Sequence, residues 1–339
     1  MNKYPFIVAE IGANHLQNKE RALALVAAAK DAGADAVKLQ TFQPETMVAR
    51  RTVGGAPVRM KEGPWAGEEL WALYERSALP WSWHEEIFRY GAELGIPVFS
   101  TPFDSTAIDF LERLDCPMYK IASFEILDLA LIAKAAATGK QLVISTGMAT
   151  VEEIDEAVHA ARGAGATQIA LLKCTSAYPA SPDDMNLRTI QELARRFDVP
   201  VGLSDHTMGI AVPVAAVALG ACIIEKHLTL SRALPGPDSA FSLEPQEFKA
   251  MVDAVRIAER ALGKVHFGAS PLELKSRIFR RSLFVVQDLK QGQPFSDHNV
   301  HSIRPGHGLH TRHLREVLGK HATRDIERGT PLSWDLVAK

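Results

Sequence analysis

Short apolar runs alternate along the chain with longer stretches in which apolar residues recur every three or four positions. The runs are Phe6–Ala9, Ala36–Leu39, Val98–Ser100, Met118–Ile121, Leu142–Ile144, Ile169–Leu172, Val201–Leu203 and Ile223–Ile224. Their length and apolar continuity predict buried strands of a parallel sheet. The periodic stretches are Lys19–Ala32, Trp83–Leu94, Thr106–Leu114, Leu129–Ala137, Val151–Ala164, Leu187–Phe197, Val212–Leu219 and Pro245–Leu262, and Gly33, Gly95, Gly139, Gly165, Gly220 and Gly263 mark stops. A helix ends readily where glycine can take a left-handed backbone. Eight strand–helix units in series predict an α/β fold, a (β/α)8 TIM barrel over residues 1–265. The stretch from Arg50 to Leu79, with Gly54-Gly55, Trp65, Trp71 and Tyr74, reads as an insertion after the second strand. Long connections of that kind lie on the catalytic face, so this one is expected to cover a site.

After Gly263 the periodicity is lost. Residues 266–276 read as a linker and 277–339 as a small β-rich domain, punctuated by Gln291-Gly292-Gln293-Pro294, Arg304-Pro305-Gly306 and Arg328-Gly329-Thr330-Pro331. From Arg277 onward eleven Lys and Arg face six Asp and Glu, a net +5, whereas the whole chain of 339 residues carries −2. A nucleic-acid surface is one reading of that asymmetry, but interleaved aromatics are few and a basic module closing over an anionic substrate fits better; the whole-chain charge argues against bulk binding to nucleic acid or an anionic membrane. Cys116, Cys174 and Cys222 are far apart and read as small buried hydrophobes in a reducing compartment. The start, Met1-Asn2-Lys3-Tyr4-Pro5, leads straight into a run too short for a signal peptide. Pro213, Gly209 and Gly220 break the stretch from Met208 to Ile224, which otherwise approaches membrane-span length. A cytoplasmic protein is expected.

In a barrel of this type, chemistry gathers at the C-terminal strand ends. Those positions carry Glu10, Asn14 and His15, then Lys38 and Gln40, then Thr101, then Lys120, Ser123 and Glu125. Ser145-Thr146 follow, then Lys173, Thr175, Ser176 and Tyr178, and finally Ser204-Asp205-His206 and Glu225-Lys226-His227. Lys38 and Gln40 are two apart and share a strand face; Lys226 should face away if His227 faces in. Two lysines with several hydroxyls suit a phosphate plus a carboxylate. His206 and His227 end successive strands, each beside a carboxylate, the minimum of a metal site with open positions. Taken singly, each hydroxyl reads better as a helix N-cap, and Glu10 could be a structural partner of Lys38. Their convergence is what points to a site.

Several strings, in order along the chain, resemble the sialic acid synthase family: Ala9-Glu10-Ile11-Gly12-Ala13-Asn14-His15, Val37-Lys38-Leu39-Gln40-Thr41, Ser100-Thr101-Pro102-Phe103 and Lys120-Ile121-Ala122-Ser123. Ser145-Thr146-Gly147-Met148, Leu203-Ser204-Asp205-His206-Thr207, Glu225-Lys226-His227 and Pro235-Gly236-Pro237-Asp238 continue the likeness. The tail resembles that family's antifreeze-like (SAF) domain, with Ser302-Ile303-Arg304-Pro305-Gly306 at the matching place. Phe124, where neuraminate-forming members usually carry glycine, and Phe279-Arg280-Arg281-Ser282-Leu283 are similar to the pseudaminate-forming branch; Leu234–Asp238 is similar to the neuraminate-forming one.

The resemblance implies a transferase that condenses phosphoenolpyruvate with an acylamino sugar, 2,4-diacetamido-2,4,6-trideoxy-L-altrose in the pseudaminate branch. An N-acetylneuraminate or legionaminate synthase is the alternative. It implies that Lys38, Thr101, Lys120, Ser123, Ser145 and Ser204 hold phosphoenolpyruvate. Gln40, Glu125, Tyr178 and Asp238 would hold the sugar. Glu10, His206 and His227 would be catalytic, and His206 and His227 would bind a divalent metal, Mn2+ or Mg2+, with Co2+ a further option. Arg304 would reach the partner's sugar across a domain-swapped homodimer. Ser176 stands where neuraminate synthases commonly have Asn. Two rival readings remain: a Schiff-base aldolase using Lys120 or Lys38, and a non-catalytic carbohydrate- or ice-binding protein suggested by the tail.

Overall fold

The eight apolar runs become eight strands: β1 (Phe6–Glu10), β2 (Ala36–Thr41), β3 (Val98–Pro102), β4 (Met118–Ile121), β5 (Gln141–Ser145), β6 (Ile169–Cys174), β7 (Val201–Asp205) and β8 (Ile223–His227). They pair in parallel, in chain order, and close into a barrel when β8 meets β1. The computed structural model behind this description covers residues 5–339 apart from 53, 62 and 64. The signal-peptide reading of Met1–Tyr4 thus lies outside the described residues. Most strands run one to three residues beyond their apolar cores, into the polar residues of the barrel mouth. The ladder continues there because those side chains find partners in one another, so burial need not end where hydrophobicity ends.

Strand register builds the mouth. Glu10 pairs with Lys38 on one side and with His227 on the other. Gln40 lies level with Thr101, Cys174 with Ser204, and Ser204 with Glu225. Helices from the chain's outer layer bury their apolar faces on the barrel, in one core that includes Leu25, Ile87, Ile108, Leu131, Ile154, Leu193 and Phe248. They are α1 (Lys19–Asp31), α4 (Trp81–Leu94), α5 (Ser105–Glu112), α6 (Leu129–Ala137), α7 (Val151–Gly163), α8 (Thr189–Phe197), α9 (Ala211–Ala218) and α10 (Pro245–Leu262); α2 (Pro44–Met47) buries no side chain, and α3 (Leu70–Ser77) buries Leu73 outside that core. Among the described residues no helix is long and apolar enough to cross a membrane. α2 precedes the insertion and α3 lies within it; neither is expected from the sequence, because about two turns give the apolar period too few repeats to register. Cys116 and Cys174 are buried thiols, and Cys222 is half-buried.

The chain divides into two compact units, the second being Lys264–Lys339. That unit has a core of its own, with Leu283, Val285, Phe295, Val300, Val317 and Leu332 at its centre. It carries less strand than expected. β9 (Ser282–Val285) and β10 (Val300–Ile303) form one antiparallel pair, and other pairings, such as Leu289 with Ile326 and Ala322 with Val337, are single bridges. Pro294 and Pro331 sit at bridge positions, where a missing N–H stops a ladder from growing. The segment read as a linker holds helix α11 (Pro271–Leu274), closed by a capping box between Ser270 and Glu273, and then a 3-10 turn over Lys275–Phe279. Apolar side chains in it and just before it face solvent in this chain: Val265 is 90% exposed, Phe267 91% and Leu272 79%.

Candidate active site

One carboxylate stands at the centre of the barrel mouth. Lys38 Nζ lies 3.0 Å from Glu225 Oε1 and 3.0 Å from Glu10 Oε2. Ser204 Oγ donates to the same Glu225 oxygen at 3.0 Å, and Lys120 Nζ stands 4.0 Å from it while donating to the Ile121 carbonyl. All these side chains are buried. Burial alone would push Glu225 up; Lys120 and Lys38 bring it down to about 2. Burial lowers Lys120 to about 8, although Glu225 opposes the shift. Lys38, held by two carboxylates, stays protonated in spite of its burial. The sequence reading quoted Glu225 and gave it no role. The two-residue strand period carried the signal, since Glu225 must share the inner face with His227. Lys226 takes the outer face, where Asp205 Oδ2 lies at 2.5 Å and the Thr207 carbonyl also accepts from it.

Glu10 is fixed rather than mobile. Its Oε1 accepts from the Gly12 backbone N–H at 2.9 Å and from Gln40 Nε2 at 3.0 Å. Burial raises its pKa, against the pull of Lys38. The hydroxyls of Thr101 and Ser145 are buried and bond to no protein atom. Polar groups so placed are ordinarily satisfied, so both are donors awaiting an acceptor. Ser123 Oγ lies 2.7 Å from Ser176 Oγ. Gly147 sits against this pair: a β-carbon there would come within 2.3 Å of Ser176 Oγ and 3.1 Å of Ser123 Cβ.

The imidazoles of His206 and His227 face each other, with ring centroids 5.5 Å apart. His206 Nδ1 lies 3.1 Å from the Thr175 carbonyl. A proton held there leaves a lone pair on Nε2, the state a metal ligand needs. His227 is held well below the usual imidazole range, by burial first and then by His206 and Lys38, and its Nδ1 is buried without a hydrogen-bond partner. Two imidazoles facing each other in this way would fit a divalent cation that leaves positions for substrate oxygen and water. Among the described residues no group of three or more His, Cys, Asp or Glu suits a metal ion.

Beside the histidines lies a cavity of about 370 Å3 lined by Gln40, Ser123, Phe124, Tyr178, His227 and Asp238, and walled by Trp65, Leu73 and Tyr74 of the insertion. Asp238 Oδ2 accepts from the Ala13 N–H at 2.9 Å. The Tyr178 ring packs 4.5 Å from His206 and 5.7 Å from Trp65, whose Nε1 donates to the Pro237 carbonyl at 3.1 Å. The insertion therefore does cover the mouth. Glu125 is pushed up to about 7 by burial, with one oxygen buried and unpartnered. Phe124 lines the same cavity and stays half-open to solvent. Three strand-end residues turn elsewhere. Asn14 braces the Leu228 carbonyl and Ser242, His15 accepts from the Gln17 N–H, and Lys173 donates to Cys174 O and Thr175. Arg304 is exposed on the second unit.

Known proteins share this arrangement of sequence. The profile of the NeuB family matches residues 25–267, and that of the SAF domain matches 280–338. Pseudaminic acid synthase of Helicobacter pylori is 43% identical over 98% of this chain and 97% of its own. The pseudaminic acid synthase of Campylobacter jejuni strain 81-176 is 45% identical over 98% of this chain and 96% of its own. N,N'-diacetyllegionaminic acid synthase of Legionella pneumophila is 38% identical over 97% and 94%. Among solved structures, the N-acetylneuraminic acid synthetase of Leptospira borgpetersenii in complex with citrate has a TM-score of 0.71 at 31% identity, covering 80% of this chain and 90% of that one.

Proposed function

Because the chain belongs to the NeuB family, we propose that it is a transferase joining phosphoenolpyruvate to 2,4-diacetamido-2,4,6-trideoxy-L-altrose and water, with pseudaminate and phosphate as products. The gathering of two buried lysines and unpartnered hydroxyls beside a histidine pair carries the reaction class. The higher identity to the two pseudaminic acid synthases than to the legionaminic acid synthase supports this sugar.

Lys38 and Lys120 supply point charges, and Thr101, Ser123, Ser145 and Ser204 supply oriented donors, for the phosphate and carboxylate of phosphoenolpyruvate. Its methylene carbon bonds to the sugar aldehyde carbon, and the aldehyde oxygen gains a proton. Water adds at the former enol carbon, losing that proton's equivalent; phosphate then departs by C–O cleavage as the new hydroxyl becomes the keto oxygen and passes its proton to the phosphate. Glu10, held by Gly12 and Gln40, is the carboxylate we assign to stabilising positive charge at the enol carbon. His206 and His227 would hold the divalent cation, Mn2+, Mg2+ or Co2+, which when bound supplies Lewis-acid polarisation of the aldehyde. Gln40, Glu125, Tyr178 and Asp238 would orient the sugar. The exposed Val265, Phe267 and Leu272 support assembly into a homodimer, in which Arg304 of one chain would contact the sugar held by the other.

The test is phosphate release from phosphoenolpyruvate against a panel of acylamino sugars, with and without chelator. Release should need the diacetamido trideoxy sugar, stop with chelator and return with Mn2+. Release with N-acetylmannosamine as the best substrate would overturn the sugar assignment. A borohydride-trapped lysine adduct would instead establish the aldolase chemistry.

A further inference from the structure

The cavity beside the histidines is chemically two-sided. Gln40, Ser123, His227 and Asp238 form one side, and Met60, Trp65, Leu70, Leu73 and Tyr74, all from the insertion between β2 and α4, contribute an apolar wall. We propose that this wall, with Trp65 and Leu73 at its centre, is the specificity determinant that selects sugars carrying methyl groups where others carry hydroxyls. The inference rests on the reaction proposed above and names what chooses its sugar.

The wall is held in place. Trp65 is fixed by its bond to the Pro237 carbonyl at 3.1 Å and by its packing on Tyr178, 5.7 Å between centroids. Tyr74 meets Phe42 edge-on at 5.6 Å, and Phe42 meets Phe103 in the same manner at 5.4 Å. Leu73 is buried. Trp65, whose one donor is spent on Pro237, and the aliphatic Leu73 offer a hydroxyl no partner, so a hydroxyl pressed on them loses its water and gains nothing, while a methyl gains contact. The wall is also tied to the chemistry, because Tyr178 bridges from Trp65 to His206, 4.5 Å away. A sugar seated against the wall is therefore seated at a fixed distance from the imidazoles. A 6-deoxy, doubly acetamidated sugar presents three methyls, whereas a 6-hydroxy counterpart keeps a hydroxymethyl at the position in question.

Discrimination of methyl from hydroxymethyl by an apolar pocket runs to about 10- to 100-fold. The experiment compares kcat/KM by phosphate release for the diacetamido 6-deoxy sugar and its 6-hydroxy counterpart, in the wild type, Trp65→Ala and Leu73→Asn. Both variants should lower the preference for the 6-deoxy sugar about tenfold, mainly through its KM. Phosphoenolpyruvate titration and thermal unfolding check that each variant is folded, and the half-exposed Trp65 keeps the test available if Leu73→Asn is unstable. Loss of activity on both sugars in equal proportion would overturn the inference, since the wall would then be a scaffold. Wild-type enzyme that ignores the 6-deoxy sugar would overturn the proposed reaction itself.

Discussion

Glu225 accepts from Lys38 and Ser204 and faces the Lys120 ammonium at 4.0 Å inside the barrel. Its consequence is electrostatic. A buried lysine near a carboxylate keeps its proton; without one it loses it. Lys120 stands at about 8 with Glu225 in place, so the KM for phosphoenolpyruvate should rise as pH climbs through about 8, when the ammonium that faces the anion becomes neutral. In Glu225→Gln the same rise should begin at lower pH, because the charge that favours the ammonium is gone. Breaking a buried pair costs about 3–5 kcal/mol of stability, and the low end is expected because Glu10 still partners Lys38. Steady-state kinetics across pH 6–9 (about three units, spanning the Lys120 transition) would show both effects. An unshifted profile in Glu225→Gln would mean that Lys120 is held by something else.

At the scale of elements, the loops after β4, β5 and β6 meet at Gly147. A β-carbon there would press on Ser123 and Ser176 and come within 3.2 Å of Cys174 Sγ. Gly147→Ala should therefore part the loops that carry Ser123 and Ser176, raising the KM for phosphoenolpyruvate about tenfold while costing about 1–3 kcal/mol in stability, the usual price of overpacking. A variant with wild-type kinetics would show that the loops yield without moving Ser123. The strands and outer helices were legible because each repeats a period of two or of three to four residues several times over. The polar strand ends were legible as a set, because the barrel fold allots chemistry to them. Glu225 went unassigned for lack of one step, counting inward and outward positions along β8. α2 and α3 escaped because they are short, and the short bridges of the second unit escaped because prolines and glycines obscure any alternation. The cavity's division into a polar and an apolar side could not be read at all: Trp65 and Tyr178 lie more than a hundred positions apart and meet only in the fold.

Two units with separate cores frame the question of assembly. A basic module of this size is small for a life of its own, and exchange between protomers is a low-cost route to a dimer. If Arg304 serves the partner's site, mixing Arg304→Ala chains with Glu10→Ala chains under mild denaturant should restore activity, since one hybrid site would combine both intact halves. Heterodimers without activity would place Arg304 in cis or outside the reaction. The segment that joins the units bears on the same matter in time rather than in space. Val265 and Phe267, about nine-tenths exposed in the single chain, have every reason to seek cover, and cover supplied by a second molecule is lost by mass action. If the proposed homodimer supplies that cover, specific activity should decay after a large dilution, at a rate set by dissociation, and recover on reconcentration. Charged replacements at both positions would make that decay immediate.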